Sequence, residues 1–252
     1  MEGAGAIPPP FDSHARSAMH TAHWFSRITP LSTTAYRRLL ESGDFDPYGQ
    51  RLTIHKLFDH LPPQEKPKGS AASFLFRAEE QNGMPLLQVL SPYPPQDPDH
   101  LWHIDTQPYA PDFPAKTTLR FHLRVNPTVS RGESGNSSSR HDVVTDAQRS
   151  MSHQQTGIRP PSLAMIAASA GTEWLLARTE RMGIRIEASA LQISNYRKWR
   201  QQGGRGAALS MLDFSGTLTV LDPDLFRHTL LTGVGPGKAF GCGLLLVEPV
   251  TE

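Results

Sequence analysis

Five glycines and a lysine fall within eleven residues, at Gly233, Gly235, Gly237, Lys238, Gly241 and Gly243. Glycine lets a backbone approach a ligand closely and turn successive N–H groups toward phosphate oxygens, and a lysine adds a mobile positive charge. The chemistry on offer is anion binding. Two small-nucleotide readings fail on the residues themselves. A P-loop needs Ser or Thr after its lysine, and Ala239 follows Lys238. A dinucleotide fingerprint needs a third glycine where Lys238 stands. A phosphate-binding loop and a tight helix-to-strand connection without a ligand both remain open on glycine count alone.

A second group of charges precedes the loop. Between Glu173 and Arg205, seven basic residues (Arg178, Arg181, Arg185, Arg197, Lys198, Arg200, Arg205) outnumber three acids (Glu173, Glu180, Glu187), in a chain whose net charge is only +1. Such a patch suits a polyanion, and it equally suits a solvated face. In NYRKWRQQGGRG the basic residues surround Tyr196 and Trp199, rings that can stack on a base or pack against the protein. The single cysteine, Cys242, excludes an internal disulfide framework and a cysteine-based zinc cluster, and reads as a small buried residue. No apolar run reaches membrane-span length and no secretory leader is evident, so a cytoplasmic protein without a membrane partner is expected.

These residues need elements to hold them. The 252 residues, 38% hydrophobic and 19% charged, suffice for one large or two small globular domains. Alternation predicts strands at His23–Leu31, Ala72–Glu79, Pro85–Leu90, Lys116–Val125, Arg185–Ser194, Ala208–Leu221 and Leu244–Glu248, with a turn at Asn82-Gly83. Ile54, Leu57, Phe58 and Leu61 fall on one face of a helix expected over Asp44–Leu61 and stopped by Pro62-Pro63. A second helix is expected to start at a Thr172 cap and end at Gly183, and a third over Pro223–Leu231 capped by Asp222. Ser91–Pro114 reads as a proline-rich connection with a short run near Trp102. Thr128–Pro161, poor in apolar residues, reads as a mobile insertion. The order β-α-β-β-α-β in the second half, and its partial echo in the first, predicts an α+β chain of two tandem ferredoxin-like (RRM-like) domains. Their expected extents are 20–114 and 115–252, after a flexible tail at 1–19.

GVGPGKAFGCGLL, preceded by DPDLFRHTLLTG, resembles the C-terminal signature of the CasE family, the CRISPR-associated endoribonucleases of type I-E (Cascade) systems. LTIHKLFDHLPP, SFLFRAEE and LRFHLRVNPT resemble further family segments in the same order, so the likeness spans Trp24 to Pro249. It implies metal-independent cleavage of precursor CRISPR RNA at the 3′ base of its repeat hairpin by 2′-OH attack, without a cofactor or metal. The protein then stays bound to the mature crRNA among the other Cascade subunits. It also places the catalytic histidine, one of 11 in the chain, at His55. His55 flanks the apolar stripe about 100° from Ile54, with Arg51 and Asp59 one turn to either side. Histidine suits proton transfer at neutral pH, and Asp59 is expected to orient the ring or raise its pKa. Leu52 stands where family members can carry a tyrosine, which leaves a non-catalytic hairpin-binding subunit as the alternative. Expected RNA contacts are Arg51, Arg120, Arg124, Arg197, Lys198, Arg200, Arg205 and the loop from Gly233 to Gly243, Lys238 included.

Overall fold

Apolar–polar alternation along the strands builds two antiparallel sheets in the computed structural model, which describes residues 23–41, 46–62, 74–132, 138–152, 161–200 and 208–250. In the first half, β1 (His23–Pro30), β2 (Leu75–Gln81), β3 (Met84–Ser91) and β4 (Trp102–Tyr109) lie in the order β2-β3-β1-β4. Asn82 and Gly83 join β2 to β3 with φ of 55° and 75°, the left-handed pair that a two-residue hairpin turn requires. In the second half, β5 (Thr118–Val125) is followed by a separate hairpin of β6 (Thr128–Gly132) and β7 (Ser138–Asp142). β8 (Ile184–Ile186), β9 (Gln192–Arg200), β10 (Ala208–Val220) and β11 (Leu245–Pro249) complete the second sheet. Its order is β11-β5-β10, with β8 and β9 sharing the far edge of β10. Numbered within its own half, each sheet reads 2-3-1-4. The chain is an α+β protein with two ferredoxin-like sheets.

Helices α1 (Thr33–Glu41) and α2 (Pro47–Lys56) precede β2. α2 starts where Asp46 accepts from the N–H groups of Tyr48 and Gly49, with Pro47 at the first position, where a missing N–H costs nothing. It is shorter than the expected Asp44–Leu61, but i→i+3 bonds from Leu57, Phe58 and Leu61 carry the turn onward. Its apolar stripe is buried as its spacing requires, with Ile54, Leu57, Phe58 and Leu61 at most 8% exposed. α1 was not anticipated: it is only nine residues long, with Ala35 buried and Leu39 packed against the first core.

Three further differences have physical reasons. The first sheet lacks the second helix of the pattern. The proline-rich stretch after Ser91 takes its place, with Tyr93 and Leu101 packing on the core and the Gln96 N–H donating to the Leu57 carbonyl at 2.8 Å. The helix expected to begin at Thr172 begins at Leu163, where Ser162 caps the Met165 N–H, so α4 (Leu163–Leu176) carries Thr172 in its interior. Gly183, with φ of 70°, does end the segment that follows. Within the stretch expected to be a mobile insertion, the β6–β7 hairpin leads into α3 (Val143–Ser152), and Val143 and Val144 enter the core of the second half. α5 (Pro223–Thr232) begins at its Asp222 cap as expected.

Each sheet buries one face under its helices. On the other side, Leu75 and Leu90 of the first sheet meet Leu244, with Phe25, Tyr109, Leu231 and Leu246 packed around them. This small apolar joint locks the two halves together, and the functional candidates gather beside it.

Candidate active site and nucleic-acid interface

His55 sits on the last turn of α2, half-buried, with the edge of its ring system against Phe74 at 5.1 Å and 72° between planes. Phe74 in turn stacks on Phe58 at 5.5 Å and touches Phe76 at 6.2 Å. Loss of water around the ring, reinforced by the positive charge of Arg51, lowers the His55 pKa below its ordinary value, against a smaller opposing pull from Asp59. Asp59 raises this pKa as expected, but burial and Arg51 outweigh it. The downward shift favours the neutral imidazole, which is the form able to accept a proton. Leu52, one turn earlier, is 47% exposed, and Tyr48 beyond it is 38% exposed.

The glycine-rich loop runs from the end of α5 to β11, and its glycines at 233, 235, 237, 241 and 243 have φ between 73° and 90°. Two of them are also close-packed against the first half. A Cβ on Gly233 would stand 2.8 Å from the Leu75 side chain, and one on Gly241 would stand 3.2 Å from the Phe76 ring. Gly237 and Gly241 flank a single 3-10 turn, Lys238–Phe240. The loop is therefore a packed seam in which no residue from 233 to 243 is exposed, and Leu75 and Phe76 leave no room for side chains at Gly233 and Gly241. Lys238 is half-buried, which pushes its pKa down, and its Cγ lies 3.1 Å from where a Gly243 Cβ would be. Cys242 is fully buried and its thiol is pushed up to about 12, so it is no nucleophile.

The 3-10 turn brings the loop against α2. The Arg51 guanidinium lies 5.6 Å from the centroid of the Phe240 ring, and Phe240 meets Trp199 of β9 at 5.9 Å. Between these elements opens a cleft of roughly 300 Å³, lined by Gln50 of α2, Arg197, Lys198 and Trp199 of β9, and Phe240 and Gly241 of the loop. His55's helix, the glycine loop and the basic strand thus converge, as the candidate residues require.

Arg124, expected to contact RNA, also lines this cleft, with a side chain 12% exposed that grips both carboxylate oxygens of Asp213 at 2.7 and 2.9 Å. Its Nη1 donates to the Ala78 carbonyl of β2 at 2.8 Å. Arg124 is a tie between the sheets. Arg120 lies at the opposite end of β5, exposed beside Glu248 at 3.5 Å. Lys198 donates to Thr145 of α3 at 2.9 Å, and Arg200 lines a neighbouring pocket with Arg140 and Trp199. Arg205 lies outside the described residues. Gln50, Phe74 and Phe240 were missed, because nothing in their local spacing signals contacts made across the fold. Among the described residues no group of three or more His, Cys, Asp and Glu side chains is arranged to hold a metal ion, and no helix is long and apolar enough to cross a membrane.

Comparison with known proteins agrees with this architecture. A family model described as CRISPR associated protein matches residues 24–249. The chain is 26% identical over 253 residues to the CRISPR-associated endoribonuclease Cse3 of Thermus thermophilus, covering 90% of this chain and 100% of that protein. The Thermus thermophilus Cse3 structure bound to an RNA representing a pre-cleavage complex superposes with a TM-score of 0.63 at 24% identity, over 90% of this chain and 100% of that one. Cas6e from Escherichia coli K-12 gives 0.56 at 19% identity with the same coverage. With the family model spanning nearly the whole described fold, from β1 to β11, this chain belongs to the CRISPR-associated protein family, of which CasE-type proteins are members.

Proposed function

We propose that this chain is a metal-independent endoribonuclease that cuts precursor CRISPR RNA at the 3′ base of its repeat hairpin and remains on the mature crRNA as a Cascade subunit. The observation that carries the reading is the placement of His55: a half-buried imidazole on a helix packed against the glycine-rich loop, which in turn meets the basic strand β9. The full-length likeness to an endoribonuclease supports the same reaction class. In this scheme His55 takes the proton of the ribose 2′-OH, and the 2′ oxygen attacks the adjacent phosphorus. The bond to the 5′ oxygen of the next nucleotide breaks, that oxygen takes a proton from water, and His55 returns its proton to solvent. The products are a 2′,3′-cyclic phosphate and a 5′-OH. Arg51, Arg197 and Lys238 supply positive charge around the phosphate as it becomes more anionic. The A-form stem is held by shape and backbone contacts from β9 and the loop.

The two sheets support a division at about residue 115 into a domain carrying His55 and one carrying the loop, acting in the cytoplasm. The test is a labelled repeat hairpin incubated in excess EDTA. Cleavage by the wild type and none by His55→Ala, with hairpin affinity kept, is the expected result. A metal requirement overturns the mechanism, and full activity in the variant overturns the role of His55. Leu52, exposed and aliphatic one turn before His55, favours the second reading, a hairpin-binding subunit that does not cut. Tight binding by the wild type without a cut supports that reading instead.

A further inference from the structure

Phe240 faces two cations' worth of machinery from one small turn. On one side the Arg51 guanidinium, one helical turn before His55, lies 5.6 Å from its centroid. On the other side its ring meets Trp199, which sits between Lys198 and Arg200 on β9. The turn that presents Phe240 has little freedom, since Gly237 and Gly241 fix its ends at φ of 84° and 80°. Gly241 is also seated on Phe76, whose neighbour Phe74 touches the His55 ring. Two aromatic routes therefore lead from the glycine loop to His55, one through Phe240 and Arg51, the other through Phe76 and Phe74. Only the first begins at the basic strand.

We propose that Phe240 is a positioning residue, a clamp between Arg51 and Trp199 that holds the His55 helix in register with RNA docked on β9. A guanidinium over an aromatic face is attracted to the ring's negative quadrupole, and the contact is directional enough to fix a helix face. Rotation of α2 by a fraction of a turn would move the imbalance straight to the imidazole, and small misplacement of a proton acceptor costs rate steeply. Phe240 touches neither the 2′-OH nor the phosphate in this scheme. Its effect on cleavage runs through Arg51 and the helix.

The proposal rests on the endoribonuclease reading with His55 as the base, and the experiment separates the two. Single-turnover cleavage of a labelled repeat hairpin is measured with saturating protein, alongside the hairpin Kd, for wild type, His55→Ala, Phe240→Ala, Phe240→Leu and Phe240→Tyr. Expected is a loss of roughly 10- to 100-fold in rate for Phe240→Ala, with Kd changed by less than about threefold and rate restored by Phe240→Tyr. Phe240→Leu fills the space without a ring face, and a deficit that persists there supports the clamp even where the alanine variant fails to fold. The acid limb of the pH–rate profile moves to higher pH in Phe240→Leu as Arg51 leaves its place beside His55. An active wild type, an inactive His55→Ala and an unchanged rate in Phe240→Leu overturn the proposal. So does a Kd loss that accounts for the whole effect, which would make Phe240 an RNA contact. No cut by the wild type overturns the underlying function itself.

Discussion

The two halves share a strand order and use it differently. In the second half the pattern is complete: α4 and α5 cover one face, and the edge strand is split into β8 and β9, the latter carrying the basic residues outward. In the first half a proline-rich connection replaces the second helix and braces the end of α2 through the Gln96–Leu57 bond. The complete half offers surface for binding, and the reduced half holds one short helix whose final turn bears His55. A duplicated frame becomes useful here because its copies diverged in their connections, while both sheets kept their order.

Variants can break that contrast. The largest effect is expected at His55, where removing the proposed general base costs about 10²–10⁴-fold in cleavage rate while hairpin affinity is kept. Stability effects follow. Asp213→Ala leaves the buried Arg124 unpaired and is expected to destabilise by about 3–5 kcal/mol in urea unfolding, whereas Arg120→Ala, at an exposed pair, stays within about 1 kcal/mol. Gly233→Ala drives a Cβ into Leu75 of the first half and is expected to cost about 2–4 kcal/mol. Gly83→Ala, at a first-half turn with open space around it, is expected to cost only about 1–2 kcal/mol of backbone strain. A Gly233→Ala protein as stable as wild type would remove the loop from the joint.

The smallest effect is the one in pH. A base acts when neutral, so the wild-type rate rises with pH through a His55 pKa lying below the ordinary histidine value. Arg51→Gln removes a lowering charge and moves that acid limb up. Asp59→Asn removes a raising one and moves it down. Single-turnover pH–rate profiles read both, and movement in the same direction would refute the electrostatic account.

Strands and the apolar stripe of α2 were legible because local periodicity encodes which face is buried: Ile54, Leu57 and Phe58 needed no knowledge of their neighbours. α3 was hidden because Val143, Val144, Ala147 and Met151, although at helical spacing, stand in a polar stretch that composition marks as a mobile insertion. The start of α4 was misplaced because Thr172 looks like a cap wherever it stands, and Ser162 was the one at the true end. Arg124 illustrates the deeper limit. It occupies a polar position of an alternating strand, as a surface arginine would, and its partner Asp213 is 89 residues away. Glycine count alone left a phosphate-binding loop and a tight connection both open for the same reason, since Leu75 and Phe76 lie far back in the chain. His55 itself became visible through family likeness and not from its local chemistry.

The joint also sets a timetable for synthesis. Leu244 and Leu246, which close the apolar contact with Leu75 and Leu90, follow His55 by roughly 190 residues, or about 10–40 s of translation. Until they emerge, the nascent first sheet keeps an uncovered apolar edge and the histidine helix has no loop to rest against. A chain interrupted before β11 would hold His55 without the joint that seats its helix, so assembly of the proposed site is tied to completion of the second sheet.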